Sequence, residues 1–231
     1  MRKALAITLL CLVPAIAACG DSDEKKAKKP EQQAPASAAQ QGSKAGCKRV
    51  AEPKPKGEGG EKKPKGALDA SRKWSLRLDT NCGSFTIGLD VKGAPNTSAS
   101  LVALAKSHFF DGTTFHRIVP GFVIQGGDPT GTGQGGPGYS TVDKPRAGAS
   151  YGRGVVAMAK TEQEPPGTAG SQFFVVTGQD AGLPPDYAVV GRVTDGLDTV
   201  ERIAALGDPA AGPEGTPTQP VVIQKVTVTG G

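Results

Sequence analysis

Two short segments of this 231-residue chain combine phenylalanines with a polar side chain that could act on an uncharged peptide. The first, FHRIVPGFVIQGGD, carries Arg117, and the second, GSQFFVV, carries Gln172; together they hold four of the seven phenylalanines in the chain. Arg117 alternates with Phe115 and Val119, so its side chain is expected on an apolar face. An apolar pocket with Arg and Gln at its rim suits a neutral peptide whose backbone the guanidinium can reach.

Covalent and metal-dependent catalysis find no support in the sequence. There is no Gly-x-Ser-x-Gly motif, and Cys82 lies in a predicted hairpin turn with no base next to it. The chain has only two histidines, His108 and His116, and no carboxylates are spaced beside them as metal ligands. His116 is expected to make a structural hydrogen bond rather than to act in catalysis. No metal or other cofactor is predicted.

One motif suggests a nucleotide site but lacks the required context. Residues 131–136, GTGQGG, match the Gly-x-Gly-x-x-Gly pattern of dinucleotide-binding proteins. In those proteins the glycines lead into a helix whose N-terminus holds the pyrophosphate. Here Pro137 follows and no helical pattern develops. The segment is therefore predicted to be a long flexible loop.

The elements that must hold the two phenylalanine-rich segments are mostly strands. WSLRLD, which begins at Trp74, alternates apolar and polar residues, and with FTIGLD after the NCGS turn it predicts a hairpin anchored by that tryptophan. Helices are predicted from Pro95 onward and over residues 198–206. Further strand-like runs cover residues 113–119, 121–125, 154–159, 172–177, 187–193 and 221–228. Together these elements predict a mainly β fold, a closed eight-stranded antiparallel barrel capped by two helices.

Four segments, HFFDGTTFHRIVPGFVIQGGD, GVVAMA, GSQFFVVTG and VVGRV, resemble those of the cyclophilins and occur in the same order. Cyclophilins are peptidyl-prolyl cis-trans isomerases built on an eight-stranded barrel with two helices, and the resemblance covers about residues 74–229. It implies that X-Pro peptides are the substrates. It also implies catalytic roles for Arg117, Phe122 and Gln125. The substrate-binding residues that it implies are Val123, Ala159, Gln172, Phe174, Leu183 and Tyr187.

The chain also departs from the cyclophilin pattern near the implied pocket. Gly182 stands where many eukaryotic members have a tryptophan, and Tyr187 where many relatives have a histidine. The loop over residues 160–169, which contains KTEQEPPG, is longer than in the small eukaryotic forms. These departures predict altered substrate contacts on that side and weak inhibition by cyclosporin-type drugs.

The start of the chain has the pattern of an export signal. Arg2 and Lys3 precede an apolar run over residues 4–16 that is too short to span a bilayer comfortably. The run ends in Ile-Ala-Ala-Cys, which resembles the bacterial lipobox and predicts that residues 1–18 are removed and Cys19 is lipidated. An ordinary signal peptide that happens to contain a cysteine is the alternative. The predicted location is extracytoplasmic, with the lipid anchored in the bacterial cell membrane.

Charge and composition divide the remaining chain into a tether and a domain. Residues 20–72 hold 13 Lys and Arg against 8 Asp and Glu, a net +5, whereas residues 73–231 hold 12 against 14, a net −2. Residues 19–72 are poor in apolar side chains, so a disordered tether is predicted there. The domain over residues 73–231 gives no indication of nucleic-acid binding or of an oligomer.

Cys47 and Cys82 are the cysteines that remain besides Cys11 of the signal and the lipidated Cys19. In an exported protein they are predicted to form a disulfide, with two free thiols as the alternative.

The function that follows is prolyl isomerisation in exported proteins as they fold. A proline-peptide-binding module or chaperone with little turnover is the main alternative, and a structural lipoprotein that uses the barrel for docking is another. Arg117 separates these possibilities, because a protein that only binds peptides does not need it.

Overall fold

A computed structural model describes residues 46–230 of the chain. The eight strands of the main sheet are β1 (Ser75–Thr80), β2 (Gly83–Leu89), β3 (Arg117–Val119), β4 (Val123–Gly126), β6 (Val155–Met158), β8 (Phe173–Val176), β9 (Val189–Asp195) and β10 (Ile223–Thr229). Two further strands, β5 (Thr141–Val142) and β7 (Thr168–Ala169), form a separate antiparallel pair. The predicted strands thus agree with the eight of the main sheet, whereas β5 and β7, of two residues each, were too short to predict.

The main sheet is curled but is not a closed barrel. Its order is β10-β1-β2-β9-β6-β8-β4-β3, and every neighbouring pair is antiparallel. The two edge strands, β10 and β3, do not pair with each other, so the expectation of full closure was wrong. The physical reason is that the chain preceding β3 is irregular, and only residues 112–115 bond to residues 221–223, through three backbone hydrogen bonds. This local contact brings the edges near each other without a continuous ladder.

Two α-helices, α1 (Pro95–Lys106) and α2 (Leu197–Ala204), accompany the sheet, together with a short 3-10 helix over Pro209–Glu214. The start of α1 has no side-chain cap of its own, and the carboxylate of Asp143 instead accepts the backbone N–H groups of Asn96 and Thr97. None of the helices in the described residues is long and apolar enough to cross a membrane.

The main core lies inside the curled sheet. In the β1–β2 hairpin, Leu76 pairs with Ile87 and Leu78 pairs with Phe85, and all four side chains are buried. The alternation that predicted the hairpin therefore reflects one face turned inward. Trp74 is half-buried against this core, and its indole N–H donates to the carbonyl of residue 69 at 3.0 Å.

The segment over residues 46–72, here called the arm, lies against the domain, although its composition predicted a disordered tether. The disulfide predicted between Cys47 and Cys82 is present and joins the arm to the β1–β2 turn. Backbone N–H groups of the arm also donate to carbonyls of Asn81 and of residues 129–137. These partners belong to the folded domain, which is why local composition did not reveal them. The other part of the predicted tether, residues 19–45, and the predicted signal peptide lie outside the described residues.

Candidate active site

The predicted site forms on the outer face of the main sheet, where β3, β4, β8 and β6 lie side by side. Arg117 is opposite Gln125, Gln125 is opposite Phe174, and Phe174 is opposite Ala157. Phe174 and Ala157 belong to a second buried cluster, separate from the main core that contains Ile118. Alternate residues of a strand face opposite ways. The outward-facing residues of these four neighbouring strands therefore place Arg117 and Gln125 beside the apolar surface formed by Phe174 and its cluster.

A cavity of about 250 Å³ opens on this face. Its lining residues are Arg117, Phe122, Val123, Gln125, Ala159, Lys160, Phe174, Leu183 and Tyr187. Eight of the nine residues that the sequence predicted for catalysis or substrate binding therefore share one cavity. The ninth, Gln172, does not line this cavity but bonds to Gln125, which does. A cavity of this size with an apolar floor and a polar rim can hold a small ring together with its flanking amides.

The aromatic wall of the cavity is fixed by Tyr151, a residue that sequence reasoning missed. Its hydroxyl donates to the carbonyl of Tyr187 at 2.9 Å and accepts the backbone N–H of the same residue at 3.0 Å. The rings of Phe174 and Tyr187 meet edge to face, with centroids 5.6 Å apart. Tyr151 is fully buried, and burial raises the pKa of its hydroxyl. The neutral hydroxyl thus remains available as both donor and acceptor at physiological pH.

Arg117 is held in place by three contacts. Its Nε donates to the carbonyl of Pro213 at 3.0 Å, and its guanidinium carbon lies 5.6 Å from the centre of the Phe122 ring. Its Nη1 is 3.5 Å from Oε1 of Gln125, a long contact. Burial lowers the pKa of Arg117, and the charge of Glu214 partly opposes this shift. An arginine stays charged under such conditions, so the pocket carries a fixed cation whose other N–H groups remain for a substrate.

A chain of side-chain amides connects Arg117 to the glycine-rich loop over residues 129–138. Nε2 of Gln125 donates to Oε1 of Gln172 at 3.0 Å. Nε2 of Gln172 in turn donates to the carbonyls of Gly133 and Gly135, at 2.9 and 3.0 Å. Because both donors of that amide are used on the loop, its oxygen can face only Gln125. The loop thereby sets the orientation of Gln125 beside Arg117.

The glycine-rich loop is itself held together by Asp128, which is fully buried. Its carboxylate accepts the backbone N–H groups of Thr130, Gly133 and Gly135 and the hydroxyl of Thr130. Burial alone would raise the pKa of Asp128, but these hydrogen bonds outweigh it and the pKa lies below its ordinary value. The Gly-x-Gly-x-x-Gly match is thus a carboxylate-organised loop with no helix after it, as predicted, although it is less free than its glycines suggested.

Two expectations from the sequence were wrong near Arg117. Neither ring nitrogen of His116 has a hydrogen-bond partner among the described residues, so the predicted structural bond is not formed. Burial lowers the pKa of His116, and its ring is neutral at pH 7. Phe115, expected on the same face as Arg117, lies in the main core. Strict alternation fails there because β3 begins only at Arg117.

Lys160 lines the cavity and is a second residue, after Tyr151, that sequence reasoning missed. Its Nζ lies 5.5 Å from the centre of the Tyr187 ring and donates to the carbonyls of Thr161 and Glu164. These bonds join Lys160 to carbonyls one and four residues further along the chain, so they hold the first turn of the long loop over residues 160–169 around the lysine. A lysine two residues after the strand that ends at Met158 was the available signal, but lysines near strand ends are ordinarily solvated.

Gly182 has a positive φ of 62°, and the space where a side chain would begin is open. Cys19, the predicted lipidation site, lies outside the described residues. Within residues 46–230, no group of three or more His, Cys, Asp or Glu side chains could hold a metal ion.

Comparison with known proteins identifies the family of the chain. A family model for "Cyclophilin type peptidyl-prolyl cis-trans isomerase/CLD" matches residues 75–228. The chain is 37% identical over 168 residues to the probable peptidyl-prolyl cis-trans isomerase A of Mycobacterium leprae, covering 66% of this chain and 90% of that protein. It is 40% identical over 140 residues to peptidyl-prolyl cis-trans isomerase-like 1 of Rhizopus delemar, covering 59% and 83% respectively.

Among solved structures, the fold is similar to a cyclophilin type peptidyl-prolyl cis-trans isomerase of Cryptosporidium parvum, crystallised in the presence of the dipeptide Ala-Pro. The TM-score is 0.61 at 31% identity, covering 67% of this chain and 98% of that chain. The arm lies N-terminal to the residues that the family model matches. From residue 75 to residue 228, this chain belongs to the cyclophilin family of peptidyl-prolyl cis-trans isomerases.

Proposed function

We propose that this protein catalyses cis-trans isomerisation of X-Pro peptide bonds in proteins that fold outside the bacterial cytoplasm. The observation that carries the proposal is the fixed guanidinium of Arg117 beside an apolar cavity large enough for a proline ring. Family membership and the relatives' names support the reaction, and the Ala-Pro dipeptide present with the Cryptosporidium protein supports the substrate class.

The reaction requires neither a covalent intermediate nor a proton transfer to substrate. Rotation about an X-Pro bond breaks amide resonance against a barrier of about 18–20 kcal/mol. An enzyme accelerates it by binding the twisted amide more tightly than either planar form. In the twisted state the proline nitrogen gains a lone pair, which an N–H group of Arg117 can engage. Because Nε of Arg117 is already used on Pro213, the Nη groups are those that act.

The cavity walls supply the second requirement, which is a fixed proline ring. Phe122, Phe174 and Leu183 provide the apolar contact, together with the buried Val123. Gln125 offers its amide to the flanking peptide group, and Ala159 leaves space for the neighbouring residue of the substrate. With the ring immobilised, rotation is confined to the carbonyl side of the bond, where the guanidinium acts.

Replacing Arg117 tests this proposal directly. We expect Arg117→Ala to slow exchange of an Ala-Pro peptide at saturating enzyme by about 10²–10³-fold, the usual loss for one preorganised donor. The dissociation constant should change little, because the apolar walls remain. NMR exchange spectroscopy gives the rate, and a titration of peptide shifts gives the dissociation constant.

Two further variants make the result specific. Arg77→Ala is a matched control, because Arg77 is exposed on β1 and pairs only with Asp79. Phe122→Ala should weaken binding and turnover together, since it removes wall surface in every state of the substrate. Wild-type exchange in a folded Arg117→Ala variant would refute the mechanism. A peptide-binding module with little turnover predicts instead a loss of affinity and no catalysed exchange in the wild type.

We propose further that the mature protein begins at a lipidated Cys19 and is anchored to the bacterial cell membrane. The support is the sequence alone, a short apolar run that ends in Ile-Ala-Ala-Cys. Mass spectrometry of the mature N-terminus should find a diacylated cysteine, and Cys19→Ser should release the protein from the membrane fraction. A mature protein that begins at any other residue, without lipid, would overturn this proposal.

A further inference from the structure

A larger cavity, of about 930 Å³, shares none of its lining residues with the proposed active site. Here called the basic groove, it is bounded by the end of β2 and the turn that follows, by β9, by the loop over residues 143–150 and by the end of the arm. Its cationic lining residues are Arg72, Lys73, Lys92, Lys144, Arg146 and Arg192.

Positive charge is concentrated in this groove although the domain is acidic. Residues 73–231 contain 12 Lys and Arg and 14 Asp and Glu, a net −2. Five of those 12 cations line the groove, and Arg72 of the arm adds a sixth, but only two of the 14 acids do. Clefts lined by one sign of charge focus the electrostatic potential. The groove is thus a positive site on a domain of the opposite net charge.

The two acidic residues of the groove are already engaged. The carboxylate of Asp143 is buried and accepts three hydrogen bonds from Asn96 and Thr97 at the start of α1. Oδ1 of Asp90 accepts the backbone N–H of Gly93. None of the six cations lies within 4.0 Å of a carboxylate in the described part of the chain. All six are exposed, so their charge is available to a partner.

Between the cations the groove has an apolar floor. Trp74, Leu89, Val155 and Val189 line it, and Trp74 is the only tryptophan of the chain. A polyphosphate has no group to place against such a floor, and a flat bilayer surface does not enter a concave groove. An extended peptide in which acidic and apolar side chains alternate fits both the cations and the apolar floor, since successive side chains of an extended chain point to opposite sides.

We propose that the basic groove binds extended acidic segments of polypeptides, independently of proline recognition. Ionic attraction to the six cations recruits the segment, and burial of its apolar side chains against the floor retains it. A client held there keeps its X-Pro bonds at a raised effective concentration near the proposed active site, provided that the intervening chain spans the two cavities.

Trp74 provides a built-in reporter for the test. The probe is a proline-free heptapeptide in which glutamate alternates with valine, and the matched control peptide has lysine in place of glutamate. When the glutamate peptide is titrated into the full-length protein, it should change the Trp74 fluorescence. Raising the salt concentration from 50 to 500 mM should lower the binding affinity of the peptide at least tenfold. Calorimetry on the same samples measures binding without relying on fluorescence.

Charge reversal within the groove is the decisive variant. Lys144→Glu combined with Arg146→Glu should lower the affinity for the glutamate peptide at least tenfold, because both residues lie on one exposed loop of the groove. Arg77→Glu combined with Lys225→Glu reverses the same charge on exposed residues of β1 and β10, outside the groove, and should have less than a twofold effect. Isomerase activity on a neutral peptide should be unchanged in both double variants.

Three results would overturn the proposal. The first is no heat and no fluorescence change with the glutamate peptide, and the second is equal binding of the lysine peptide. The third is binding of phosphatidylglycerol vesicles that Lys144→Glu with Arg146→Glu abolishes, in the absence of peptide binding, which would assign the groove to the membrane. Because the probe contains no proline, none of these outcomes depends on whether the domain is an isomerase.

Discussion

Gln172 offers a sharp test of how the glycine-rich loop positions the active site. Its amide donates to two loop carbonyls and accepts from Gln125, so Gln172→Glu keeps the acceptor and removes both donors. The new carboxylate would also face the carbonyl oxygens of Gly133 and Gly135. The substitution changes almost no volume, and its effect therefore reports on these polar contacts rather than on packing.

The expected magnitude follows from these contacts. Each lost hydrogen bond is worth about 0.5–1.5 kcal/mol. With the added repulsion at the carbonyls, unfolding free energy should fall by about 2–3 kcal/mol and Tm by about 4–12 °C. Arg117 keeps its bond to Pro213 and its contact with Phe122 and loses only its oriented neighbour Gln125. We therefore expect catalysed exchange to slow by about tenfold, or ~1.4 kcal/mol, with peptide affinity within twofold of wild type.

The pH dependence of the variant separates positioning from general damage. A carboxyl beside two carbonyl oxygens should have a pKa above its ordinary value of about 4.3. Once protonated, it can donate one hydrogen bond back to the loop, so part of the lost rate should return as the pH is lowered toward that pKa. NMR exchange on an Ala-Pro peptide between pH 7.5 and 5 measures this recovery.

Gln224→Glu is the matched control for Gln172→Glu. Gln224 is exposed on β10 and its side chain makes no hydrogen bond within the described residues. Its replacement should leave both stability and exchange at wild-type values. If Gln172→Glu were as active and as stable as this control, the amide chain would not position Gln125, and the reasoning would be wrong.

Three further predictions concern stability and inhibition. Replacing both Cys47 and Cys82 by serine opens a link across 35 residues and should cost about 3–4 kcal/mol in urea unfolding, whereas an unchanged midpoint would show that the disulfide does not stabilise the domain. Because burial lowers the pKa of His116 below 6.5, the unfolded chain binds its proton more readily, so stability should fall as pH drops below about 6.5. His116→Gln should remove that part of the pH dependence. Cyclosporin-type inhibition should be about 30- to 150-fold weaker than in relatives with tryptophan at the position of Gly182, and nanomolar inhibition would contradict this.

Much of the fold could be predicted because each signal was local. The period-two pattern around Leu76 and Leu78 depends only on which face of one strand is buried, and it predicted the first hairpin correctly. The helix from Pro95 follows from a residue that favours the first helical turn. The predicted closure of the barrel failed because it depends on two edges, β10 and β3, that are far apart in the chain.

The arm is a second feature that depends on contacts between segments far apart in the chain. A segment rich in Lys, Pro and Gly cannot bury a core of its own, and composition therefore predicted disorder. Its partners are Cys82, the carbonyl of Asn81 and the carbonyls of residues 129–137, all supplied by the domain. Hydrogen bonds to a preformed surface leave no periodic signature in the sequence that makes them.

The sequence by itself determined the identities that the proposed chemistry needs: an arginine in an apolar strand, the phenylalanines of its pocket and the glutamine beside them. Only the tertiary structure decided how they meet, because β3, β4, β8 and β6 become neighbours through pairing between distant segments. It also decided which donors are already used, as with Nε of Arg117 on Pro213 and both amide donors of Gln172 on the glycine-rich loop. The residue type fixes how many hydrogen bonds a side chain can donate, but only the surrounding structure fixes which acceptors receive them.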